Sequence, residues 1–328
     1  MLEHGGRLRD AAARYGIPLA GWLDLSTGVN PEGWKAGAAP ESVWRRLPEE
    51  NDGLEEAAHG YYGTQQLLPA AGSQAILQAL PFLRAPSRVG VIHPGYSEHA
   101  HAWRRAGNRV SLIGPEAMPD AAAVSEVLVV SNPNNPTGTR FSPEQLLGWC
   151  ASLSRRGGWL VVDEAFIDAT PGDSLAPFCP RSGLIILRSL GKFFGLAGAR
   201  VGFVMAEPLL LEQLRGILGP WSVSGPSRWV AAEALKAQKW QDGARKRLVS
   251  GAARLHSLLS GHDLSPAGGC ALFQWVRISH ANEVYEKLAR QGILTRLFHD
   301  PSSLRFGLPG HEAEWERLKS ALMADPVV

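Results

Sequence analysis

Residues 189–202 read SLGKFFGLAGARVG, and the lysine of this stretch, Lys192, lies between glycines and phenylalanines. Such neighbours hydrate an ammonium group poorly, which favours the neutral amine that can form a Schiff base with an aldehyde. Ser189 and Arg200 flank the lysine with a hydroxyl and a fixed guanidinium, a pair suited to binding a phosphate. The stretch therefore predicts a reactive lysine beside a phosphate site.

Two alternatives compete with a reactive lysine at this position. A lysine near glycines is most often a surface residue of a loop. A nucleotide-binding phosphate loop needs a glycine six positions before Lys192 and a Ser or Thr directly after it. Ile186 and Phe193 occupy those positions, so the nucleotide-binding loop is excluded. The reactive lysine is favoured over the surface lysine only if the rest of a site is present.

Two upstream apolar runs end in polar residues, as buried parallel strands do where they open towards a ligand. Residues 127–130 lead into the turn NPNNPTG at 132–138, in which the Asn135 side chain can donate to a phenolate oxygen. Residues 159–162 lead into Asp163, a carboxylate that a protonated pyridine nitrogen would satisfy. A simple tight turn at 132–138 and a helix cap at Asp163 stay open as alternatives, whereas no His or Cys lies near enough in sequence to suggest a metal ligand. Together with the lysine and its phosphate ligands, these groups describe a site for pyridoxal 5′-phosphate (PLP).

These motifs resemble those of the class I/II aminotransferase group of fold-type I PLP enzymes. The resemblance rests on the NPNNPTG turn, on the DEAF segment at 163–166, and on the arginine eight residues after Lys192. It covers nearly the whole chain. It implies an α/β fold: a large domain with a mostly parallel sheet covered by helices, and a smaller α+β domain.

The resemblance also implies a role for each residue of the cofactor site. Lys192 would bind the cofactor covalently and later carry a proton, and Asp163 would pair with the pyridine nitrogen. Asn135 would bond the phenolic oxygen. Ser189 and Arg200 would hold the cofactor phosphate. No metal ion is expected.

Three further segments match the same family. Gly72, Ser73 and Gln74 match its phosphate loop and precede an apolar helical run, which would place their N–H groups at a helix N-terminus. Tyr96 matches the aromatic residue that stacks on the cofactor ring. Arg305 matches the arginine that binds the substrate carboxylate through two parallel hydrogen bonds.

Within the group, two features favour decarboxylation. The HGG tripeptide that begins at His4 and the stretch DLSTGVNP at 24–31 are similar to the opening of the L-threonine O-3-phosphate decarboxylases of cobalamin synthesis, with departures at Leu25 and Gly28. The DEAF segment has Phe166 where many aminotransferases have a tyrosine. Its ring cannot donate a hydrogen bond to the phenolate oxygen.

A second arginine, Arg296, lies upstream of Arg305, and one arginine for a carboxylate and one for a phosphate suit a small phosphorylated amino acid. The resemblance implies that His4, Asn30 and Arg296 receive the substrate phosphate. We therefore expect a PLP-dependent carboxy-lyase that converts L-threonine O-3-phosphate to (R)-1-amino-2-propanol O-2-phosphate.

Two other functions stay open. Histidinol-phosphate aminotransferase shares the architecture, but its usual Tyr-Pro-Asp segment is replaced here by Leu47-Pro48-Glu49. A non-catalytic PLP-binding domain of a transcription regulator would need an N-terminal DNA-binding domain. The roughly 40 residues available lack a basic recognition helix.

Composition excludes several classes of protein. The 328 residues carry a net charge of +2, which argues against a nucleic-acid partner attracted by bulk charge. Three scattered cysteines indicate reduced thiols rather than a disulfide framework, and neither a signal peptide nor a membrane span is expected. We expect a cytoplasmic homodimer, the oligomeric state being implied by the resemblance.

The pattern along the chain alternates between strands and helices from about residue 68 to 235, and then changes. We expect an N-terminal arm (1–40) on the small domain, a large PLP-binding domain (41–235) and a small C-terminal domain (236–328). Ser142 begins one helix with a capping box, and a single long helix is expected over about 230–260. The strands expected in the large domain are 88–93, 109–113, 127–131, 159–163, 184–188 and 200–205.

Overall fold

The structure, a computed structural model, describes residues 4–323. Its contacts group the chain into a central unit, Trp34–Asn135 with Thr139–Gly243, and a terminal unit made of residues up to Gly33, Pro136–Gly138 and residues from Ala244 onward. The helices of the described part, α1 to α12 in chain order, are Leu8–Tyr15, Ser42–Arg45, Leu54–Tyr62, Ser73–Ala79, Ser97–Arg105, Met118–Val124, Pro143–Ser154, Pro208–Leu218, Gly225–Lys236, Gln238–Ser260, Ala281–Arg290 and Glu312–Met323. The strands, β1 to β13, are Leu23–Asp24, Leu67–Ala70, Arg88–Ile92, Arg109–Ile113, Val127–Ser131, Trp159–Asp163, Leu184–Ser189, Gly202–Met205, Gly268–Cys270, Phe273–Arg277, Ile293–Leu294, Arg296–His299 and Ser302–Gly307.

The central unit is built on a seven-stranded sheet of order β2-β8-β7-β6-β5-β3-β4. Neighbours from β4 to β7 pair in parallel, and β8 pairs antiparallel with both β7 and β2. The predicted α/β class with a mostly parallel sheet is confirmed. Strand β2 was not predicted, because Pro69 in LLPA removes a hydrogen-bond donor. The structure places β2 at the sheet edge, where a proline is tolerated.

The strands β5 and β6 explain why the polar residues gather at one edge. Both are buried along their length except for Trp159, since helices cover the two faces of a parallel sheet, and both therefore read as continuous apolar runs. They pair in parallel with Ser131 opposite Asp163. The carboxyl ends of the two strands, with the turns that follow, thus lie side by side.

Two helix predictions had different outcomes. The capping box of α7 is present: Ser142 Oγ accepts from the Gln145 backbone, and the Gln145 side chain accepts from the Ser142 backbone. The single helix predicted over about 230–260 is wrong, since the chain forms α9 and α10 with a break at Ala237, whose backbone is not helical. The apolar and basic composition continues through the break, so the sequence pattern did not reveal it.

The terminal unit contains a four-stranded antiparallel sheet of order β12-β13-β10-β9. In the same unit β1 pairs in parallel with β11, so Leu23 lies opposite Ile293. The predicted domain boundaries at 40 and 235 stay a prediction, and residues 1–3 and 324–328 of the predicted end domains lie outside the described residues. Among residues 4–323, no helix is both long and apolar enough to cross a bilayer.

Candidate active site

A pocket of about 150 Å³ opens at the carboxyl ends of β5, β6 and β7 in the central unit. Eight of the nine predicted cofactor residues line it, and the ninth, Gly72, directly precedes Ser73. The lining residues are Ser73, Gln74, Tyr96, Ser131, Asn135, Asp163, Ala165, Phe166, Ser189, Lys192 and Arg200. A larger cavity of about 560 Å³ lies elsewhere in the central unit, and none of the predicted site residues lines it.

Asp163 is held at the pocket by two donors. Its Oδ1 accepts from the Ala165 backbone at 3.1 Å, and its Oδ2 lies 3.0 Å from Nε2 of His99, a ring that is only 2% exposed. A hydrogen bond from His99 partly offsets the cost of burying this carboxylate. Sequence reasoning missed His99. Its signal was its place in the first turn of α5, three residues after the N-cap residue Tyr96, whose ring it contacts edge-on with centroids 5.8 Å apart.

Tyr96 belongs to a chain of hydrogen bonds that fixes its ring. Its hydroxyl donates to Gln74 Oε1 at 3.1 Å, and Gln74 donates to Glu98 Oε2 at 2.9 Å. Gln78 donates to the same Glu98 oxygen. Burial raises the pKa of Tyr96 to about 12, with the Glu98 charge acting in the same direction, so Tyr96 is a neutral phenol at pH 7. The two predicted residues, Gln74 and Tyr96, are therefore joined directly.

The lysine segment is anchored by its aromatic residues. Phe193 and Phe194 are fully buried and pack on Trp240, with ring centroids 5.5 and 5.7 Å from it. Lys192 Nζ lies 5.5 Å from the ring centroid of Phe166. The Phe166 ring thus forms an apolar wall facing the amine.

The residues present fit PLP. Ser131 Oγ is a buried wall atom of the pocket with no hydrogen-bond partner in the described part of the chain, as expected of a group that binds a polar ligand. The donor set combines an amine, a buried carboxylate and an arginine next to a glycine loop. A Cβ built on Gly72 would lie 2.4 Å from Arg200 Nη2, so only glycine lets the guanidinium approach this loop.

Gly72→Ala is expected to weaken PLP binding by about 10-fold or more, because the added methyl group displaces Arg200 from its place beside the loop. Gly157→Ala is the matched control: both glycines have a positive φ, but nothing lies within 4 Å of a Cβ at Gly157. The control should lose only about 1–2 kcal/mol of unfolding free energy, the cost of a left-handed backbone for an L-residue. Cofactor titration of the apo-proteins measures the difference, and equal affinities for the two variants would contradict the prediction.

A second pocket, of about 280 Å³, lies within the terminal unit. His4 and Arg296, two residues predicted to bind substrate phosphate, line it together with Arg7, Arg14, Tyr15, Ser26, Thr295 and His299. Three arginines and two carboxylates in the lining leave an excess of one positive charge before the histidines are counted. The structure does not bring Asn30 to this pocket: its side chain is buried, and its oxygen accepts from the Glu32 backbone.

Ser26 explains why the HGG tripeptide and the DLSTGVNP stretch occur together. Its Oγ accepts from the Gly6 backbone at 2.8 Å, and its carbonyl accepts from Arg305 Nη2 at 2.8 Å. A Cβ at Gly5 would lie 2.3 Å from the same carbonyl oxygen, so the tripeptide must contain glycine there. Asp24 fixes the serine by accepting from its hydroxyl at 2.6 Å.

The two predicted substrate arginines are neighbours. Arg296 on β12 is the register partner of Arg305 on β13. Arg305 is 5% exposed and lies 5.1 Å from the ring centroid of Phe273. Burial lowers the pKa of Arg305 to about 10, and the charge of Arg296 acts in the same direction. Arg305 stays cationic at pH 7, and two arginines at one place favour an anionic ligand.

Comparison with known proteins gives consistent results. The family profile described as aminotransferase class I and II matches residues 22–322. A threonine-phosphate decarboxylase of Pseudomonas aeruginosa is 56% identical over 98% of both chains. A threonine-phosphate decarboxylase of a Sinorhizobium species is 41% identical, over 98% of this chain and 97% of the relative.

Among solved structures, a histidinol-phosphate aminotransferase from Sinorhizobium meliloti, in complex with PLP, matches with a TM-score of 0.81 and 21% identity. The match covers 98% of this chain and 94% of the other, and at this identity it supports the fold alone. The profile match, the close relatives and the sheet order agree. The chain belongs to the class I and II aminotransferase family.

Proposed function

We propose that this protein is a PLP-dependent carboxy-lyase that converts L-threonine O-3-phosphate to (R)-1-amino-2-propanol O-2-phosphate in cobalamin biosynthesis. The observation that carries the proposal is the cross-strand pair Arg296–Arg305, because the substrate presents a carboxylate and a phosphate at the same time. The two relatives named above support the same reaction.

Bound PLP supplies an electron sink for the electron pair that the carboxylate leaves behind. Lys192 binds the cofactor and returns a proton from Nζ to the substrate Cα. Asp163 would hold a proton on the ring nitrogen, and Asn135 would bind the phenolic oxygen. Ser189 and Arg200, with the loop that begins at Gly72, would bind the cofactor phosphate.

Residues of the terminal unit bind the substrate. Arg305 binds the carboxylate, with its guanidinium oriented by the Ser26 carbonyl. His4 and Arg296 bind the substrate phosphate from the 280 Å³ pocket. Asn30 does not line this pocket, and its assignment to the substrate phosphate stays a prediction of the resemblance.

The protein is further proposed to act as a homodimer in the cytoplasm. Three large apolar side chains of the central unit, Trp44, Leu47 and Trp221, are 68%, 63% and 58% exposed, and contact with a second copy would bury apolar side chains of this kind. None of the three cysteines, all within the described residues, is in a disulfide, which suits a reducing compartment. Sedimentation would test the dimer.

The reaction is tested by incubating the PLP-loaded protein with L-threonine O-3-phosphate, with no keto acid present, and measuring CO₂. Multiple turnovers of CO₂ are expected. The aminotransferase alternative predicts no CO₂, and conversion of histidinol phosphate when 2-oxoglutarate is added.

Arg296→Ala and His4→Ala are each expected to raise KM for the phosphorylated substrate, by about 10- to 100-fold for the arginine, because a charge-assisted hydrogen bond is lost. The kcat should change less, since neither residue is assigned to the reacting bond. Arg290→Ala, at an exposed arginine that does not line the pocket, is the control. Steady-state kinetics measures both constants, and an unchanged KM would remove the altered residue from the substrate site.

A further inference from the structure

A buried cluster of charges lies beside the cofactor pocket without lining it. Arg188 is 2% exposed and donates to Glu164 at 3.0 Å and to Asp168, both of which are fully buried. Ser174 donates to Glu164 at 2.6 Å, and the Leu175 backbone donates to the other Glu164 oxygen at 2.7 Å. The proposed chemistry assigns no role to this cluster.

Strand alternation places the cluster behind the pocket. Ser189 ends β7 and Asp163 ends β6, and both line the pocket. Successive side chains of a strand point to opposite faces. Arg188, which precedes Ser189 within β7, therefore points away from the pocket, and Glu164, directly after the end of β6, meets it there. The Arg188–Glu164 ion pair thus connects the end of β6, which carries the Asp163 carboxylate, to the end of β7, which carries the Ser189 hydroxyl.

The cluster also reaches the lysine segment. The Tyr61 hydroxyl donates to Asp168 Oδ1 at 2.9 Å. The Tyr61 ring packs edge-on against Phe194, with centroids 5.6 Å apart, and Phe194 lies two residues after Lys192. One hydrogen-bonded group thus contacts the segments that carry Asp163, Ser189 and Lys192.

Charge interactions stabilise the positions of Arg188, Glu164 and Asp168. Burial acts to lower the pKa of Arg188, but the carboxylates of Asp168 and Glu164 outweigh it and hold that pKa above its ordinary value. Burial raises the pKa of Glu164, and Arg188 opposes the rise. A partner moved out of place would leave a buried charge uncompensated. The strand ends are therefore held in one arrangement.

We infer that Arg188 is a positioning residue for the cofactor site, which acts through Glu164 and Asp168 to set the places of Asp163, Ser189 and Lys192. The inference rests on the proposed function in that the pocket must bind PLP. It gives a role to Arg188, Glu164 and Asp168, three buried charged residues that contact neither cofactor nor substrate. Removing any of their contacts should loosen the cofactor site in a protein that still folds.

The test compares apo-proteins of Arg188→Lys, Glu164→Gln and Tyr61→Phe with the wild type and with Arg140→Met. Arg140 forms an exposed ion pair with Asp173 at 3.3 Å and is the matched control. Tyr61→Phe removes a single hydrogen bond, so it serves where a charge variant fails to fold. The readouts are the PLP dissociation constant, the pH at which the visible band of bound PLP changes, and the unfolding temperature.

Variants of the cluster that still fold are expected to bind PLP about 10-fold more weakly and to shift the midpoint pH of the visible band. At metal sites, replacing residues that contact the ligands but not the metal has effects of this size. Arg140→Met should do neither. Unfolding temperatures that fall while the affinity and midpoint pH stay at wild-type values would show a merely structural cluster and overturn the inference. In that outcome the proposed function stands if the wild type binds PLP and releases CO₂. A wild type that binds no PLP would overturn both.

Discussion

Replacing Lys192 by alanine is expected to lower CO₂ release from L-threonine O-3-phosphate by at least about 10⁴-fold, because the change removes both the covalent ligand and the proton donor. The fold should persist, since Phe193 and Phe194 still anchor the segment on Trp240. Stopped-time CO₂ assays on PLP-saturated protein measure the loss. Far-UV circular dichroism verifies that the variant is folded.

The control for this change is Lys236→Ala, at an exposed lysine paired with Glu233 at 3.3 Å. It should keep wild-type activity. Residual turnover above about a tenth of the wild-type rate in the Lys192 variant would contradict the assignment. Such a result would favour the alternative that Lys192 is an ordinary loop lysine.

Replacing Asp163 by asparagine is expected to lower kcat by about 10²- to 10⁴-fold with little change in KM. Asparagine keeps the size of the side chain but cannot hold a proton on the ring nitrogen as a carboxylate does. The acceptor oxygen for Ala165 N–H can be retained, so the local backbone should keep its conformation. Steady-state kinetics and the visible spectrum of bound PLP measure the effect.

Asp173→Asn provides the comparison, because Asp173 is a half-exposed carboxylate whose partner is Arg140. Its activity should equal that of the wild type. If Asp163→Asn turned over at a rate within about threefold of wild type, the carboxylate would not act on the ring nitrogen, and the pairing with His99 would be its main task.

The cofactor pocket could be predicted from sequence because each of its parts follows a buried strand. Asn135, Asp163 and Ser189 come at or just after the ends of neighbouring parallel strands, and such ends share one edge of the sheet. The order of motifs was therefore enough to place them together. His99 escaped this reasoning, because a helix residue meets the strand end only through tertiary packing.

Other features depend on contacts that have no local pattern. The arginine that precedes the Ser-x-x-Lys segment, Arg188, reads as an ordinary strand residue, and only the fold shows that it meets Glu164 and Asp168. Asn30 was assigned to the substrate by resemblance and stays a prediction, since the structure shows only that its side-chain oxygen accepts from the Glu32 backbone. The pairing of Arg296 with Arg305 was also not foreseen, because their register depends on how β12 and β13 pair.

The most direct test of decarboxylation is the reaction in D₂O, with mass spectrometry of the product alongside CO₂ measurement. We expect one CO₂ for each aminopropanol phosphate formed, with the amino group retained and one deuterium on the carbon that lost the carboxylate. The absence of CO₂, with the amino group of the substrate transferred to an added keto acid, would contradict decarboxylation.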